Sequence, residues 1–168
     1  MTNPVVWPDR LALVVFDFDG VMTDNTVLIG RDGEELVRCN RSDGWGIARL
    51  SEAGTAMLVL STERNPVVMA RCVKLGLECE HGLEDKASRL REILHQRNID
   101  PAQVAYLGND ENDLGCLDLV GLAVVVADAH PSVLDKADLV LQRKGGEGAV
   151  REFCDMARFR LAEGTLKP

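Results

Sequence analysis

Two aspartates follow an apolar segment near the start of this sequence, at a spacing that could support catalysis. Leu11–Phe16 is a continuous apolar run, typical of a strand buried on both faces, and it ends in Asp17-Phe18-Asp19-Gly20. Asp17, held rigidly where the strand ends, is suited to act as a nucleophile. Asp19 could protonate a leaving alkoxide and then act as general base for the water that hydrolyses the acyl-phosphate.

More polar residues stand where later strands are expected to end. In open α/β sheets, ligands bind beyond the carboxyl ends of the strands. One polar group follows the apolar run 56–60, another follows the run 104–107, and a lysine begins the helix predicted between them. The side chains expected to converge on this edge are Asp17, Asp19, Ser61, Thr62, Lys86, Asn109, Asp110 and Asp113.

Several carboxylates placed so close together require a cation to hold them in their charged form. Hard oxygen ligands of this kind suit Mg²⁺, which takes one or two carboxylates and completes its shell with water and phosphate oxygens. The metal would reduce the repulsion between a carboxylate nucleophile and a phosphate dianion. Lys86, the Ser61 hydroxyl and the backbone N–H groups of the turn at 18–20 would hold the remaining phosphate oxygens. We therefore predict a Mg²⁺-dependent phosphomonoester hydrolase.

Alternating strands and helices are predicted to position these residues. Apolar runs predict strands at 11–16, 56–60, 104–107, 122–126 and 139–142, and helical periodicity predicts helices at 44–53, 66–75, 86–97, 113–120 and 148–161. Asp43 is a possible N-cap of the first helix. This order indicates a single α/β domain over 1–168, with a doubly wound, mostly parallel sheet. The first ten residues and the tail at 163–168 are predicted to be loose ends.

One segment interrupts this alternation directly after the first strand. Residues 25–29 and 34–39 are predicted to form a β-hairpin, because Gly30-Arg31-Asp32-Gly33 supplies a turn between them. The insert is too small to be a separate domain. A projecting hairpin with two free edges would promote aggregation in an isolated subunit, so we expect it to pair with other copies of the chain in an oligomer.

Composition excludes some classes of partner. The net charge of −8 argues against binding to nucleic acid or to an anionic membrane surface. The sequence contains neither a signal peptide nor an apolar run long enough to span a membrane. The 5 cysteines are odd in number and lack CxxC spacing, which is typical of reduced thiols in a cytoplasmic protein.

The sequence resembles the haloacid dehalogenase superfamily. DFDGVMT at 17–23 is similar to its first motif, DxDGxxT, and Ser61, Lys86 and GNDEND at 108–113 stand in the order of the other three. The resemblance implies a Rossmann-like fold in which Asp17, Asp19, Ser61 and Lys86 are catalytic.

Most of the chain resembles the capless branch typified by 3-deoxy-manno-octulosonate-8-phosphate phosphatases. The hairpin segment 23–47, ARCVKLGL at 70–77, ADAHP at 127–131 and GGEGAVRE at 145–152 carry this resemblance. It implies Mg²⁺, a homotetramer built on the hairpins, and a C-terminal tail that reaches toward a neighbouring active site.

The sequence departs from that branch at the metal site. GDDxxD is usual in the branch, whereas this chain has Asn109 followed by Asp110. An asparagine offers one uncharged oxygen, so Asp110 could carry the electrostatic load. Asp17, Asp19, and Asn109 or Asp110 are therefore the predicted metal ligands, with Asp113 supporting them.

A second departure concerns the substrate. The octulosonate branch usually has Thr-Gly-Arg where this chain has Ser61-Thr62-Glu63. A glutamate here, followed by Arg71 and Lys74, is similar to the nonulosonate-9-phosphate phosphatases. Glu63 could accept hydrogen bonds from sugar hydroxyls and Arg71 could bind the carboxylate of the sugar acid. The resemblance thus favours a nine-carbon sugar acid over the eight-carbon one.

Two other classes of protein share features with this sequence. The chain also resembles the phosphatase-like domain that follows some acylneuraminate cytidylyltransferases, which suggests a non-catalytic tetramerisation or regulatory module. Receiver domains of two-component signalling likewise combine clustered aspartates, Mg²⁺, a hydroxyl residue and a lysine. However, a receiver has its phospho-acceptor after the third strand and has no use for the hairpin. All four catalytic residue types are present here, which favours the enzyme.

Overall fold

A computed structural model describes residues 5–164 and 166–168. Six of its strands form one sheet in the order β5-β4-β1-β6-β7-β8, and every pairing in that sheet is parallel. The strands are β1 (Leu13–Phe16), β2 (Thr23–Ile29), β3 (Glu35–Cys39), β4 (Ala56–Leu60), β5 (Glu78–Glu80), β6 (Val104–Gly108), β7 (Leu122–Val125) and β8 (Leu139–Val140). The predicted doubly wound parallel sheet is confirmed.

Helices cover both faces of this sheet. They are α1 (Arg41–Glu52), α2 (Val67–Leu75), α3 (Lys86–Arg97), α4 (Leu114–Leu117), α5 (Pro131–Leu134) and α6 (Ala149–Ala162), with 3-10 turns at Pro101–Gln103 and Glu111–Asp113. Val14 and Phe16 pack into one apolar layer, while Leu13 and Val15 pack into the other. Because all four side chains of β1 are buried, the strand is apolar at every position.

The strand order reverses beside β1. The chain runs outward from β1 through β4 to β5, and then crosses back to β6, β7 and β8 on the other side. Such a reversal opens a crevice at the carboxyl ends of the two central strands, which is where α/β sheets bind ligands. Asp17 follows β1 and Asn109 follows β6, so the predicted site residues lie at this crevice.

The first helix begins earlier than predicted. Its N-cap is Asn40, whose side chain accepts a hydrogen bond from the backbone N–H of Ser42. Asp43, the predicted cap, is instead buried and accepts the backbone N–H of Arg151 in α6 at 3.0 Å. The prediction was wrong because Asp43 bonds to a distant helix, which local sequence does not reveal.

Other differences concern short elements and the tail. The helix predicted at 113–120 is a 3-10 turn followed by α4, and neither β5 nor α5 was predicted, since three or four residues carry no usable periodicity. The tail differs from a loose end: Leu166 is buried, and the carbonyl of Lys167 accepts the N–H of Leu11 at 2.7 Å. Residues 1–4, part of the other predicted loose end, lie outside the described residues.

The predicted hairpin is confirmed as an antiparallel pair, β2 with β3, separate from the main sheet. Its outer positions are apolar and exposed, notably Leu28, Ile29 and Leu36. All five cysteines are free thiols. No helix in the described part of the chain is both long enough and apolar enough to cross a membrane.

Candidate active site

The turn after β1 places Asp17 at the bottom of the crevice. Its side chain is almost completely buried, and its Oδ1 accepts the backbone N–H of Phe18 at 2.7 Å. Gly20 closes the turn with φ +80°, and a Cβ there would lie 2.1 Å from Nδ2 of Asn109. Glycine is therefore required both by the backbone conformation and by the close approach of the Asn109 side chain.

Lys86 joins Asp17 to a second buried carboxylate. Its Nζ lies 3.2 Å from Oδ1 of Asp17 and 2.5 Å from Oδ1 of Asp113. The hydroxyl of Tyr106 donates to the same Asp113 oxygen at 2.6 Å. The other oxygen of Asp113 accepts the backbone N–H of Asn109 at 2.8 Å. Asp113 therefore fixes both the lysine and the loop after β6.

Burial and charge shift the pKa values of these groups. Burial, reinforced by the negative charge of Asp113, raises the pKa of Asp17, although Lys86 and the N–H of Phe18 oppose this. Burial lowers the pKa of Lys86, but the charges of Asp17 and Asp113 outweigh it and raise that pKa overall. The lysine is therefore held as a cation against Asp17. Asp17 is a carboxylate whose charged form needs further positive charge, as a phosphate-bound cation would supply.

Asp19 faces a different environment, half-buried at the rim of the cleft. Burial raises its pKa, and the negative charge of Glu63 adds to this effect. A carboxyl group with a raised pKa takes up a proton more readily, which suits the delivery of that proton to a leaving group. This arrangement suits the general acid–base role that the sequence predicts for Asp19.

The side-chain amide of Asn109 lies beside two oxygen atoms of the turn after β1. One end of its amide lies 2.9 Å from the peptide oxygen of Asp19 and 3.2 Å from Oδ2 of Asp17. With its nitrogen inward, the amide donates hydrogen bonds to both oxygens. With its oxygen inward, three oxygens meet at the spacing of about 3 Å expected for neighbouring ligands of an octahedral Mg²⁺ ion. Among the described residues, no three His, Cys, Asp or Glu side chains form a metal-binding group, so this set depends on one peptide oxygen and one amide.

A cleft of about 230 Å³ opens above this cluster. The hydroxyl of Ser61 accepts the backbone N–H of Glu63 at 3.1 Å, which orients Ser61 at the end of β4. The lining residues are Asp17, Asp19, Asn25, Ser61, Thr62, Asn109, Asp110 and Asn112. The structure thus brings together the residues predicted for catalysis and metal binding, apart from the buried Lys86 and Asp113, which lie behind Asp17.

Sequence reasoning missed two lining residues. Asn25 adopts a left-handed conformation, with φ 61°, at the start of the hairpin. Asn112 donates from its side-chain nitrogen to Oγ1 of Thr62 at 3.3 Å, linking the loops after β6 and β4. The second asparagine of GNDEND was a visible signal for Asn112, whereas nothing local distinguished Asn25 from an ordinary strand residue.

A second cavity of about 320 Å³ adjoins the first through Asp19 and Asn25. Glu63 lines it, and its Oε1 accepts the backbone N–H of Asn65 at 2.7 Å. The amide nitrogen of Asn65 in turn donates to Oε2 of Glu35 in the hairpin at 3.2 Å. The hairpin therefore forms one wall of this second cavity, the chamber beside the proposed acid–base residue.

The other two residues predicted to bind substrate do not line either cavity. Arg71 donates from Nη2 to the carbonyl of Asn40 at 2.9 Å, behind the hairpin. Lys74 is exposed in the last turn of α2. Within the described chain, only Thr62 and Glu63 of the predicted substrate-binding group therefore lie at the crevice.

Comparison with known proteins agrees with this geometry. Residues 76–153 match the family model of haloacid dehalogenase-like hydrolases. A 3-deoxy-D-manno-octulosonate 8-phosphate phosphatase from Salmonella typhi is 36% identical over 98% of this chain and 87% of its own length. The corresponding protein from Yersinia pestis is 40% identical over 94% of this chain and 84% of its own. The chain belongs to this family of haloacid dehalogenase-like phosphatases.

Solved structures show the same relationship. A haloacid dehalogenase (HAD) family protein from Streptomyces avermitilis has a TM-score of 0.87 and 45% identity, over 90% of this chain and 87% of its own. The cobalt-bound deoxy-D-mannose-octulosonate 8-phosphate phosphatase from Haemophilus influenzae has a TM-score of 0.84 and 31% identity, over 94% and 90% of the two chains. The predicted superfamily, fold and hydrolase class are confirmed, and the receiver-domain alternative is wrong.

Proposed function

We propose that this protein hydrolyses the phosphate ester of a phosphorylated 2-keto-3-deoxy sugar acid, through an aspartyl-phosphate on Asp17. The observation that carries the proposal is the position of Asp17, buried at the crevice with Lys86 on one side and the oxygens of Asp19 and Asn109 on the other. The names of the relatives from Salmonella typhi and Yersinia pestis support a sugar-acid phosphate as the substrate class.

The oxygen cluster fits Mg²⁺, which Asp17, the peptide oxygen of Asp19, and Asn109 or Asp110 would hold. Bound there, the ion would reduce the repulsion between nucleophile and phosphate and stabilise the charge on the transferring group. The relative from Haemophilus influenzae, whose structure is a cobalt-bound form, supports a divalent cation.

The protein residues divide the reaction into two steps. The carboxylate of Asp17 attacks phosphorus while Asp19 gives its proton to the departing sugar oxygen, so the P–O ester bond breaks as the aspartyl-phosphate forms. In the second step Asp19, now a carboxylate, takes a proton from a water molecule that attacks the same phosphorus. This releases inorganic phosphate and restores Asp17. Lys86 and Ser61 hold and neutralise the phosphate oxygens throughout.

Within the substrate class, we favour a nonulosonate 9-phosphate over an octulosonate 8-phosphate. The support is Glu63, which lies in the chamber beside Asp19, where it can accept hydrogen bonds from hydroxyls of the sugar chain. The names of the relatives support the eight-carbon acid instead, so the two acids must be compared directly.

We propose that the active form is a homotetramer assembled through the hairpins. The exposed Leu28 and Ile29 support this, because water-exposed apolar positions on a projecting hairpin are stabilised by pairing with other copies. The described lining of the chamber includes Glu35 and Glu63 but no cation, so a substrate carboxylate needs positive charge from elsewhere. We therefore assign Arg71 and Lys74 to the substrate of a neighbouring subunit.

We also propose a cytoplasmic location, which the five free thiols support.

Phosphate release from a small panel of esters tests the proposal. The panel contains octulosonate 8-phosphate, two nonulosonate 9-phosphates and an aryl phosphate, each with Mg²⁺ and with EDTA. We expect metal-dependent turnover that is fastest on a nine-carbon acid. The Asp17→Asn variant should show no turnover. Asp135→Asn makes the same chemical change at an exposed position and should keep full turnover. Preference for the eight-carbon acid would retain the mechanism and reject the role of Glu63. If the protein were a folded tetramer and hydrolysed none of these esters, the non-catalytic tetramerisation module would be the better interpretation.

A further inference from the structure

A basic cavity lies outside the catalytic crevice. It has a volume of about 490 Å³ and shares no lining residue with the two cavities described above. Its lining consists of Arg38, Cys39, Asn40, Arg41, Arg143, Gly146 and Glu147. The lining thus contains three arginines and one glutamate, in a chain whose net charge is −8.

The arginines are only partly neutralised by their neighbours. Arg38 forms an ion pair with Asp24 at 2.7 Å, but its side chain is 70% exposed. Arg143 donates from Nη1 only to the backbone carbonyl of Glu147, at 3.3 Å. Arg41 is exposed, and its guanidinium group has no hydrogen-bond or ion-pair partner in the part of the chain that the structure describes. Two of the three guanidinium groups therefore lack a carboxylate partner there.

Two carboxylates near the cavity, those of Glu152 and Asp24, are occupied by other groups. Glu152 accepts the backbone N–H groups of Gln142 and Arg143 at 3.0 and 2.9 Å. Asp24 also accepts the hydroxyl of Thr26 at 2.6 Å, so its charge is shared between Thr26 and Arg38. These contacts hold the two acidic side chains in place, so they do not neutralise the guanidinium groups of Arg41 and Arg143.

We infer that this cavity binds a small polyanion that carries phosphate or carboxylate groups. Arginine presents paired N–H donors that match both kinds of anion, and several arginines together favour a ligand with more than one negative charge. The volume is within the range of small-molecule sites. The inference does not depend on the proposed reaction, because none of its residues belongs to the catalytic machinery.

Titration calorimetry on the 168-residue chain, treated with EDTA and then dialysed free of it, tests the inference. The probes are inorganic pyrophosphate and citrate. Without metal, the acidic catalytic cleft repels both anions, so saturable binding reports on the basic cavity. We expect one site per chain, with the stronger probe showing whether phosphate or carboxylate is preferred.

Two double variants distinguish binding in this cavity from a general effect of the surface charge. Arg41→Gln/Arg143→Gln should weaken binding at least about tenfold. Arg91→Gln/Arg158→Gln removes the same formal charge elsewhere on the surface and should change affinity less than about twofold. Circular dichroism checks that both variants are folded. The absence of saturable binding to the unmodified protein, or an equal loss in both variants, would overturn the inference.

Discussion

The ammonium nitrogen of Lys86 lies 2.5 Å from Oδ1 of Asp113, and neither side chain is exposed to solvent. Asp113 also receives the hydroxyl of Tyr106 and the backbone N–H of Asn109. The pair therefore links α3 to the loop after β6, beside Asp17. A fully buried ion pair with these additional hydrogen bonds holds Lys86 in one position, so a substrate phosphate would meet a preorganised cation.

Lys86→Met should both destabilise the protein and abolish turnover, since it leaves Asp17 and Asp113 buried without their cation. Removal of one partner from a buried pair costs about 3–5 kcal/mol. Urea unfolding in EDTA measures this loss. Tyr106→Phe is the control: it removes one hydrogen bond, so we expect a loss of about 1 kcal/mol and retained activity. A stable, active Lys86→Met variant would contradict the assigned role.

Asn109→Asp should lower the Mg²⁺ concentration that gives half-maximal turnover, because a charged oxygen replaces a neutral one beside Asp17. Asn109→Leu, which supplies no oxygen, should raise that concentration at least about tenfold. Phosphate release across a Mg²⁺ titration measures both effects. If neither substitution changed the metal requirement while Asp110→Asn did, Asp110 rather than Asn109 would be the ligand.

Asp43→Asn should stabilise the protein at neutral pH. Burial raises the pKa of Asp43 from 3.8 to about 6, although the N–H of Arg151 and nearby arginine charges oppose this. The folded state therefore holds the proton more tightly than the unfolded chain, and the stability from this group is full below pH 4 and is lost as pH rises through about 6. Asparagine can still accept the N–H of Arg151 without carrying charge.

The expected gain for Asp43→Asn is roughly 1–3 kcal/mol at pH 7, shrinking toward zero at pH 4. Urea unfolding of both proteins at several pH values between these limits measures it. Asp118→Asn, at an exposed position, serves as the control. A difference between Asp43→Asn and the unmodified protein that stayed constant with pH would show that the charge of Asp43 is not its cause.

Leu28→Asp/Ile29→Asp should dissociate the proposed tetramer into smaller species, because both side chains are exposed on the free subunit and would become charged in the interface. Light scattering after gel filtration measures the mass. Phe159→Asp changes an apolar residue that is also exposed but lies on α6, and should leave assembly intact. An unchanged mass in the hairpin variant would place the interface elsewhere.

The sequence predicted the elements whose burial is visible in their own residues. β4 and α3 have the predicted bounds, because a continuous apolar run and a clear helical stripe each identify one element. The convergence of Asp17 with Asn109 followed from topology, since the carboxyl ends of adjacent parallel strands meet.

What the sequence could not predict depends on contacts between distant segments. The bond from the N–H of Arg151 to Asp43 spans 108 positions, and the bond from Asn65 to Glu35 spans 30. Neither has a local signature. Arg71 and Lys74 were associated with substrate by resemblance alone, and within one chain neither residue lines the two cavities at the crevice.

The hairpin supplies Glu35 and Val37 to the chamber beside Asp19 and also displays Leu28 and Ile29 on its outer surface. Selection on either face therefore acts on the same short stretch of backbone. If the hairpins pair the subunits as proposed, a duplicated gene whose product drifts toward a new sugar would alter its choice of partner subunits as well. Specialisation of the enzyme and separation of its assemblies from those of its parent would then arise in one evolutionary step.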